Sequence, residues 1–323
     1  MNNLPDFTPL PFLTGCHKQT ILSSFINFCR APFSKTRYIH LPDHDWLAVE
    51  ITTPPTWEAT DQTVVMIHGL CGSHKSPYMI RMARKLAAKG LRVVRVNMRG
   101  CGSGKGLARR VYRAGCSDDA LCVINQLKQE TPNSPIILMG FSLGGNVVLK
   151  LCGELAERGP EYLQRVIAVS PPVDLVSGIH RIENPKNRIY ERYFMKLMIE
   201  DVLYRHKHFP ELPEIHLSRE LKVLDFDSIY MAPLFGFSNV FDYYRNDQAL
   251  KVVHNIAIPC QILFAEDDPI IDSSVLDNVT LPSNISIYKT ARGGHLGYLG
   301  VPGSEGGVRW LDHFLLTLIF NSH

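Results

Sequence analysis

Short apolar runs recur along the chain, and most are followed by a stretch with helical period. These runs are "TVVMIH" (63–68), "LRVVRV" (91–96), "PIILM" (135–139), "RVIAVS" (165–170), "CQILFA" (260–265) and "ISIYKT" (285–290), and several are continuously apolar. That is the pattern of strands covered on both faces. "TRYIHL" (36–41) and "WLAVEI" (46–51) flank Asp43-His44-Asp45 and predict an antiparallel hairpin. In 76–89, Met79, Met82, Ala83, Leu86 and Ala87 share one helical face. Arg81, Arg84 and Lys85 are expected on the opposite face, with Gly90 as the stop. In 117–128, Ser117 is the expected cap, and Asp118 and Asp119 suit the positive helix end. Leu311, Phe314, Leu315 and Leu318 form one stripe of a last helix. This alternation predicts an α/β fold: a mostly parallel, eight-stranded sheet with helices on both faces.

The rhythm breaks after Pro171-Pro172, and no strand of similar quality returns until 260. The span between is rich in aromatics, His and charge, with helical patches such as "YERYFMKLMIEDVLYRHKHF". It is too long for a bare loop. The expected division is a core of 36–172 and 256–323, a mainly helical cap inserted at 173–255, and an N-terminal arm, 1–35, packed on the core.

Composition narrows the function classes. Of the 323 residues, 45% are hydrophobic and 20% charged, as in soluble globular chains. A net charge of +3 is too small to indicate a nucleic-acid binder. The start has no basic segment followed by an apolar core, so no secretory signal is expected. No run reaches the roughly 18 apolar residues of a spanning helix. The apolar tail "LDHFLLTLIF" is short and interrupted by Asp312 and His313. The eight cysteines include no Cys-x-x-Cys pair and read as mostly buried, reduced thiols of a cytoplasmic protein.

One stretch carries chemistry. "PIILMGFSLGGNVVLKLCGEL" (135–155) places Gly140-Phe141-Ser142-Leu143-Gly144 where a buried strand meets a helix. A sharp strand-to-helix turn lifts its central side chain above the sheet, and small residues two before and two after let strand and helix approach. Ser142 is the tip. A serine hydroxyl needs a base within hydrogen-bond reach, and the base needs an orienting carboxylate. Among thirteen histidines, His295 follows the last strand in "KTARGGHLGYLG" and takes the base position in the order Ser, acid, His. The acid is expected after the preceding strand, in "ILFAEDDPII". Asp268, directly before Pro269, is the first choice and Asp267 the second. An oxyanion needs two N–H donors: the backbone of Leu143, and that of Leu70 in the loop His68-Gly69-Leu70-Cys71-Gly72, whose glycines permit a tight turn. His68 reads as a structural loop histidine. "RGCGSGKG" (99–106) is not a phosphate loop, because Gly106 follows Lys105 and Arg99 stands where the first glycine belongs.

These residues resemble the α/β-hydrolases, more narrowly the YheT-like branch related to plant embryogenesis-associated and animal α/β-hydrolase-domain proteins. The resemblance rests on "PFLTGCHKQTI", "MIHGLCGSHKSPYMIRMARKLAAKG", "VVRVNMRGCGSG", "YRAGCSDD", "GFSLGGNVVLKLCGE", "AEDDPII" and "GGHLGYL". It implies the α/β-hydrolase fold with a cap, and Ser142, Asp268 and His295 as a catalytic triad. Animal relatives usually carry an N-terminal membrane anchor. No such segment is legible here, and the expectation is a cytoplasmic chain without an integral membrane anchor. The expected activity is cleavage of carboxylic esters, short- to medium-chain or lipid-like, without metal or cofactor. Thioester, amide or phospholipid cleavage by the same residues, or ligand binding without turnover, are the alternatives.

Overall fold

A computed structural model describes residues 6–25, 29–218 and 220–320. Eight strands form one sheet: β1 (Lys35–His40), β2 (Trp46–Thr52), β3 (Thr63–Ile67), β4 (Arg92–Asn97), β5 (Ile136–Phe141), β6 (Arg165–Val169), β7 (Cys260–Ala265) and β8 (Ile285–Thr290). Their order is β1-β2-β4-β3-β5-β6-β7-β8. β1 pairs antiparallel with β2, and β2 antiparallel with β4. Every later pairing is parallel.

The apolar runs divide by alternation. Val65, Ile67 and Leu138 enter one hydrophobic cluster with the helices Ser117–Glu130 and Leu143–Leu155. Val64, Met66, Ile137 and Met139 point the other way, against Pro77–Ala88 and Trp310–Phe320. Successive strand side chains face opposite sides, so a strand buried on both shows no polar face.

Three expectations are corrected. Arg81 is buried rather than solvent-facing: its Nε lies 3.1 Å from Asp312 Oδ2, and Lys85 Nζ lies 3.0 Å from the same oxygen. The helix packs one flank on the last helix, and the charge that interrupts that helix's apolar stripe is the ion-pair partner. Ser117 does not cap its helix. It stands inside the first turn, and its hydroxyl donates to Glu154. Of the eight cysteines, expected to be mostly buried, three are buried and five half-buried.

The sheet positions its loops for chemistry. From β3 the chain crosses to β4 on one side, whereas β5 lies on the other side of β3. Crossovers that leave in opposite directions open a crevice beyond the carboxyl ends of the strands. Ile67 lies beside Gly140 in register, so the loops after β3 and β5 emerge next to each other. Between β6 and β7 the described residues form no strand. Helices Leu175–Ile182, Arg188–His208 and Val240–Asp247 fill this span, with a π-helical stretch at Asp227–Met231.

Arg99 of the "RGC" block is scaffold. Arg99 donates to Asp119, Asp43 and Asp45 in a buried network that ties β4 to the hairpin turn. Asp45 in turn accepts the Arg109 and Arg110 N–H groups. A buried guanidinium shared among three carboxylates is stable only with such complete pairing.

Candidate active site

The turn after β5 is as tight as its sequence requires. A β-carbon on Gly140 would lie 2.2 Å from the Gly144 carbonyl oxygen, and one on Gly144 would lie 2.4 Å from that of Ile67. Ser142 between them has φ 51° and ψ −122°, outside the ordinary range for a residue with a side chain. The surrounding contacts hold this strain and leave the hydroxyl half-buried at the helix N-terminus.

Three distant side chains meet there. His295 Nε2 lies 2.9 Å from Ser142 Oγ, and His295 Nδ1 lies 2.8 Å from Asp268 Oδ2. Asp268 is 2% exposed, and its Oδ1 accepts the N–H groups of Ile270 and Ile271 at 2.8 and 3.0 Å. Those bonds fix the carboxylate and leave Oδ2 for the imidazole. A histidine donating Nδ1–H to a carboxylate presents the lone pair of Nε2, which can accept the serine proton. Asp267, the second choice from sequence, goes elsewhere. Its Oδ1 accepts the Gly294 N–H at 2.8 Å and supports the histidine loop from below. Burial pushes its carboxyl upward, opposed by that bond, with Asp268 adding to the rise.

The loop after β3 lies against this line. Gly72 N–H donates to Gly69 O, closing a turn centred on Leu70 and Cys71. The left-handed residue is Cys71, at φ 55°, and not a glycine. Gly69 serves close approach instead: a β-carbon there would lie 3.0 Å from that of Ser142. The N–H groups of Gly69 and Cys71 both donate to tyrosine hydroxyls, those of Tyr78 and Tyr112, each at 2.9 Å. The N–H of Leu70 between them and that of Leu143 behind Ser142 donate to no acceptor among the described residues. These two groups were the expected oxyanion donors, and both residues line the cavity with Ser142. Neither tyrosine carries a signal of this role in the sequence. Only their spacing from the glycine loop in three dimensions gives them away.

His68 carries no available lone pair. Met98 N–H donates to its Nε2 at 3.1 Å, and its Nδ1 lies 2.8 Å from the Gly69 carbonyl. Burial lowers its pKa to about 4, so it stays neutral. Among the described residues, no three His, Cys, Asp or Glu side chains cluster to hold a metal ion.

Above Ser142 opens a cavity of about 410 Å³. Leu70, Cys101 and Tyr112 contribute from the sheet side, and Ile179, Phe194 and Met198 from the helices between β6 and β7. Asp227 also lines it, and Tyr244 Oη donates to Asp227 Oδ2 at 2.7 Å. Burial raises the Asp227 carboxyl to about 7, with the Tyr244 bond opposing and Glu183 adding to the rise. The folded chain therefore holds a proton that the unfolded chain releases near pH 4. Stability contributed by Asp227 is intact below that pH, declines up to about pH 7, and then levels. Thermal melts of wild type and Asp227→Asn, which keeps an oxygen for Tyr244, check this. The variant is expected to gain roughly 2–4 kcal/mol relative to wild type between pH 4 and pH 8. A constant gap across that range would contradict it.

A strained serine elbow at the carboxyl edge of a parallel sheet, faced by a histidine from the last strand loop, defines the α/β-hydrolase class. Residues 62–300 match the family described as alpha/beta hydrolase fold, and the chain belongs to it. Within that family it groups with the YheT-like branch. It is 29% identical to the YheT protein of Escherichia coli strain K12 over 91% of this chain and 87% of that one. It is 26% identical to Abhydrolase domain-containing protein 2 of Drosophila melanogaster, over 94% and 81%. Identity to the monoacylglycerol lipase of Saccharomyces cerevisiae is 27%, over 76% of this chain and 56% of that one. Among solved structures, the esterase Pf2001 of Pyrococcus furiosus superposes with a TM-score of 0.55 at 17% identity, over 88% and 92% of the two chains. That similarity concerns the fold. Among the described residues, no helix is long and apolar enough to cross a membrane.

Proposed function

We propose that this protein is a serine hydrolase of carboxylic esters, with Ser142 as nucleophile, His295 as base and Asp268 as orienting acid. The observation that carries the proposal is the hydrogen-bonded line Asp268–His295–Ser142 opening into a largely apolar cavity. His295 Nε2 takes the Ser142 proton as Oγ attacks the ester carbonyl. The Leu70 and Leu143 N–H groups receive the oxyanion. The imidazolium then protonates the departing alcohol, and a water activated by His295 releases the acid.

Residues 173–255 act as the cap, whose Ile179, Phe194 and Met198 supply an apolar wall for an acyl chain. Of the first 35 residues, 6–25 and 29–35 are read as an arm against the core, and 1–5 and 26–28 lie outside the described residues. Relatives named monoacylglycerol lipase and, in Homo sapiens, Phospholipase ABHD3 support a lipid-like ester as substrate. A large chain whose eight cysteines include no Cys-x-x-Cys pair supports a reducing, cytoplasmic setting.

The test is a panel of chromogenic acyl esters from acetyl to palmitoyl, with matched thioesters, anilides and phospholipids, run with fluorophosphonate labelling. Ester turnover with an optimum set by chain length is expected, together with covalent labelling at Ser142. Preference for thioester, anilide or phospholipid would reassign the substrate. Ligand binding with neither labelling nor turnover would reduce the protein to a receptor.

A further inference from the structure

The loop that carries His295 does not hold its own shape. Gly293, Gly294, Leu296 and Tyr298 all have positive φ, at 156°, 57°, 58° and 47°. Leu296 and Tyr298 have side chains and resist that conformation. Such a stretch persists only where neighbouring structure imposes it.

The imposing element lies at the other end of the chain, in helix Cys16–Phe25. Thr20 Oγ1 accepts the backbone N–H of His295 itself at 2.8 Å and donates to the Cys16 carbonyl at 2.8 Å. Gln19 is fully buried. Its Oε1 accepts the Leu299 N–H at 2.7 Å, and its Nε2 donates to the carbonyls of Leu299 at 3.1 Å and Leu13 at 2.7 Å. Helix and loop touch backbone to backbone: a β-carbon on Gly294 would lie 2.5 Å from the Cys16 carbonyl oxygen, and one on Gly297 would lie 2.7 Å from that of Gln19. On its far side the helix is tied to the cavity-lining helix Arg188–His208, where His17 Nδ1 lies 2.9 Å from Tyr190 Oη.

We propose that helix Cys16–Phe25 is a positioning element for the base, with Thr20 setting the His295 backbone and Gln19 holding the end of its loop. Neither residue touches the reacting atoms. With Asp267 on the Gly294 N–H, the loop is gripped from two sides, and the imidazole is left little freedom between Asp268 and Ser142. Preorganisation of this kind affects the step after binding, because misplacement of a reacting group lowers kcat without weakening substrate contacts.

This inference rests on the serine-hydrolase reading, and the test separates the two. Wild type, Thr20→Val and Thr20→Ser are compared on one ester, with rates per active site counted by fluorophosphonate titration. Thr20→Val preserves shape and removes the acceptor. It is expected to lower kcat about 10- to 100-fold with KM nearly unchanged, and Thr20→Ser to restore most of the loss. Hydrogen exchange of the peptide spanning 293–299 should accelerate in Thr20→Val and return in Thr20→Ser, a readout independent of turnover. Unchanged kcat in Thr20→Val would overturn the proposal. So would a lower melting temperature with a normal rate per titrated site, or a rate loss that Thr20→Ser fails to rescue. Absence of labelling and turnover in wild type would instead defeat the hydrolase reading, and the exchange data would still report on the grip.

Discussion

Replacing Ser142 by alanine is expected to lower kcat on any accepted ester by about 10⁵- to 10⁶-fold, with substrate affinity nearly unchanged. In the proposed mechanism the hydroxyl is the only group that forms a covalent bond, so what remains is solvent attack assisted by the proposed oxyanion donors. Apolar contacts in the cavity are untouched, which preserves binding. Fold should survive as well, since the Ser142 backbone is held by its N–H to the Val169 carbonyl and by the closely packed glycines rather than by its side chain. Ser142→Gly separates strain from chemistry. Glycine adopts φ 51° without penalty, so this variant should be equally inactive yet at least as stable as Ser142→Ala. Steady-state kinetics with equal fluorophosphonate labelling of wild type and Ser142→Ala would remove Ser142 from its assigned role.

The second large effect is expected at Asp268. In Asp268→Asn the amide oxygen must stay where Oδ1 accepts the Ile270 and Ile271 N–H groups, because an NH₂ facing two donors would be repelled. The NH₂ then faces His295 Nδ1 and donates to it. That forces the imidazole proton onto Nε2, the nitrogen that receives the Ser142 proton in the proposed mechanism. A kcat loss of about 10⁴ follows, with a small change in KM. Asp267→Asn is the control. Its side-chain oxygen can still accept the Gly294 N–H, so less than about a 10-fold loss is expected. Equal losses in the two variants would mean that neither carboxylate has a distinct task.

Much of this arrangement was legible in the chain because it depends on patterns with a short physical range. Strands buried on both faces show as apolar runs, and the elbow shows as glycines two before and two after Ser142. The order of Ser142, Asp268 and His295 follows the order of the strands whose ends carry them. What stayed hidden depends on a partner far along the chain. Arg81 belongs to a face that looks polar until Asp312 is placed opposite it. The Cys71 turn defies the glycine rule because tyrosine hydroxyls on neighbouring elements hold its N–H and that of Gly69. The grip on the histidine loop is hardest to read. Gln19 and Thr20 act through backbone groups, which leave no trace in hydrophobic periodicity, although their segment, "PFLTGCHKQTI", is among those that carry the family resemblance.

The helices over the cavity leave the sheet at the end of β6 and return at the start of β7, and these strands are adjacent and paired in register. Their two attachment points are thus fixed by hydrogen bonds that do not pass through the span itself. Lengthening a tethered excursion of this sort adds only slowly to its entropy cost. Descendants of this chain can accordingly trade one roof for another, admitting bulkier or slimmer molecules, while the machinery beneath keeps its alignment.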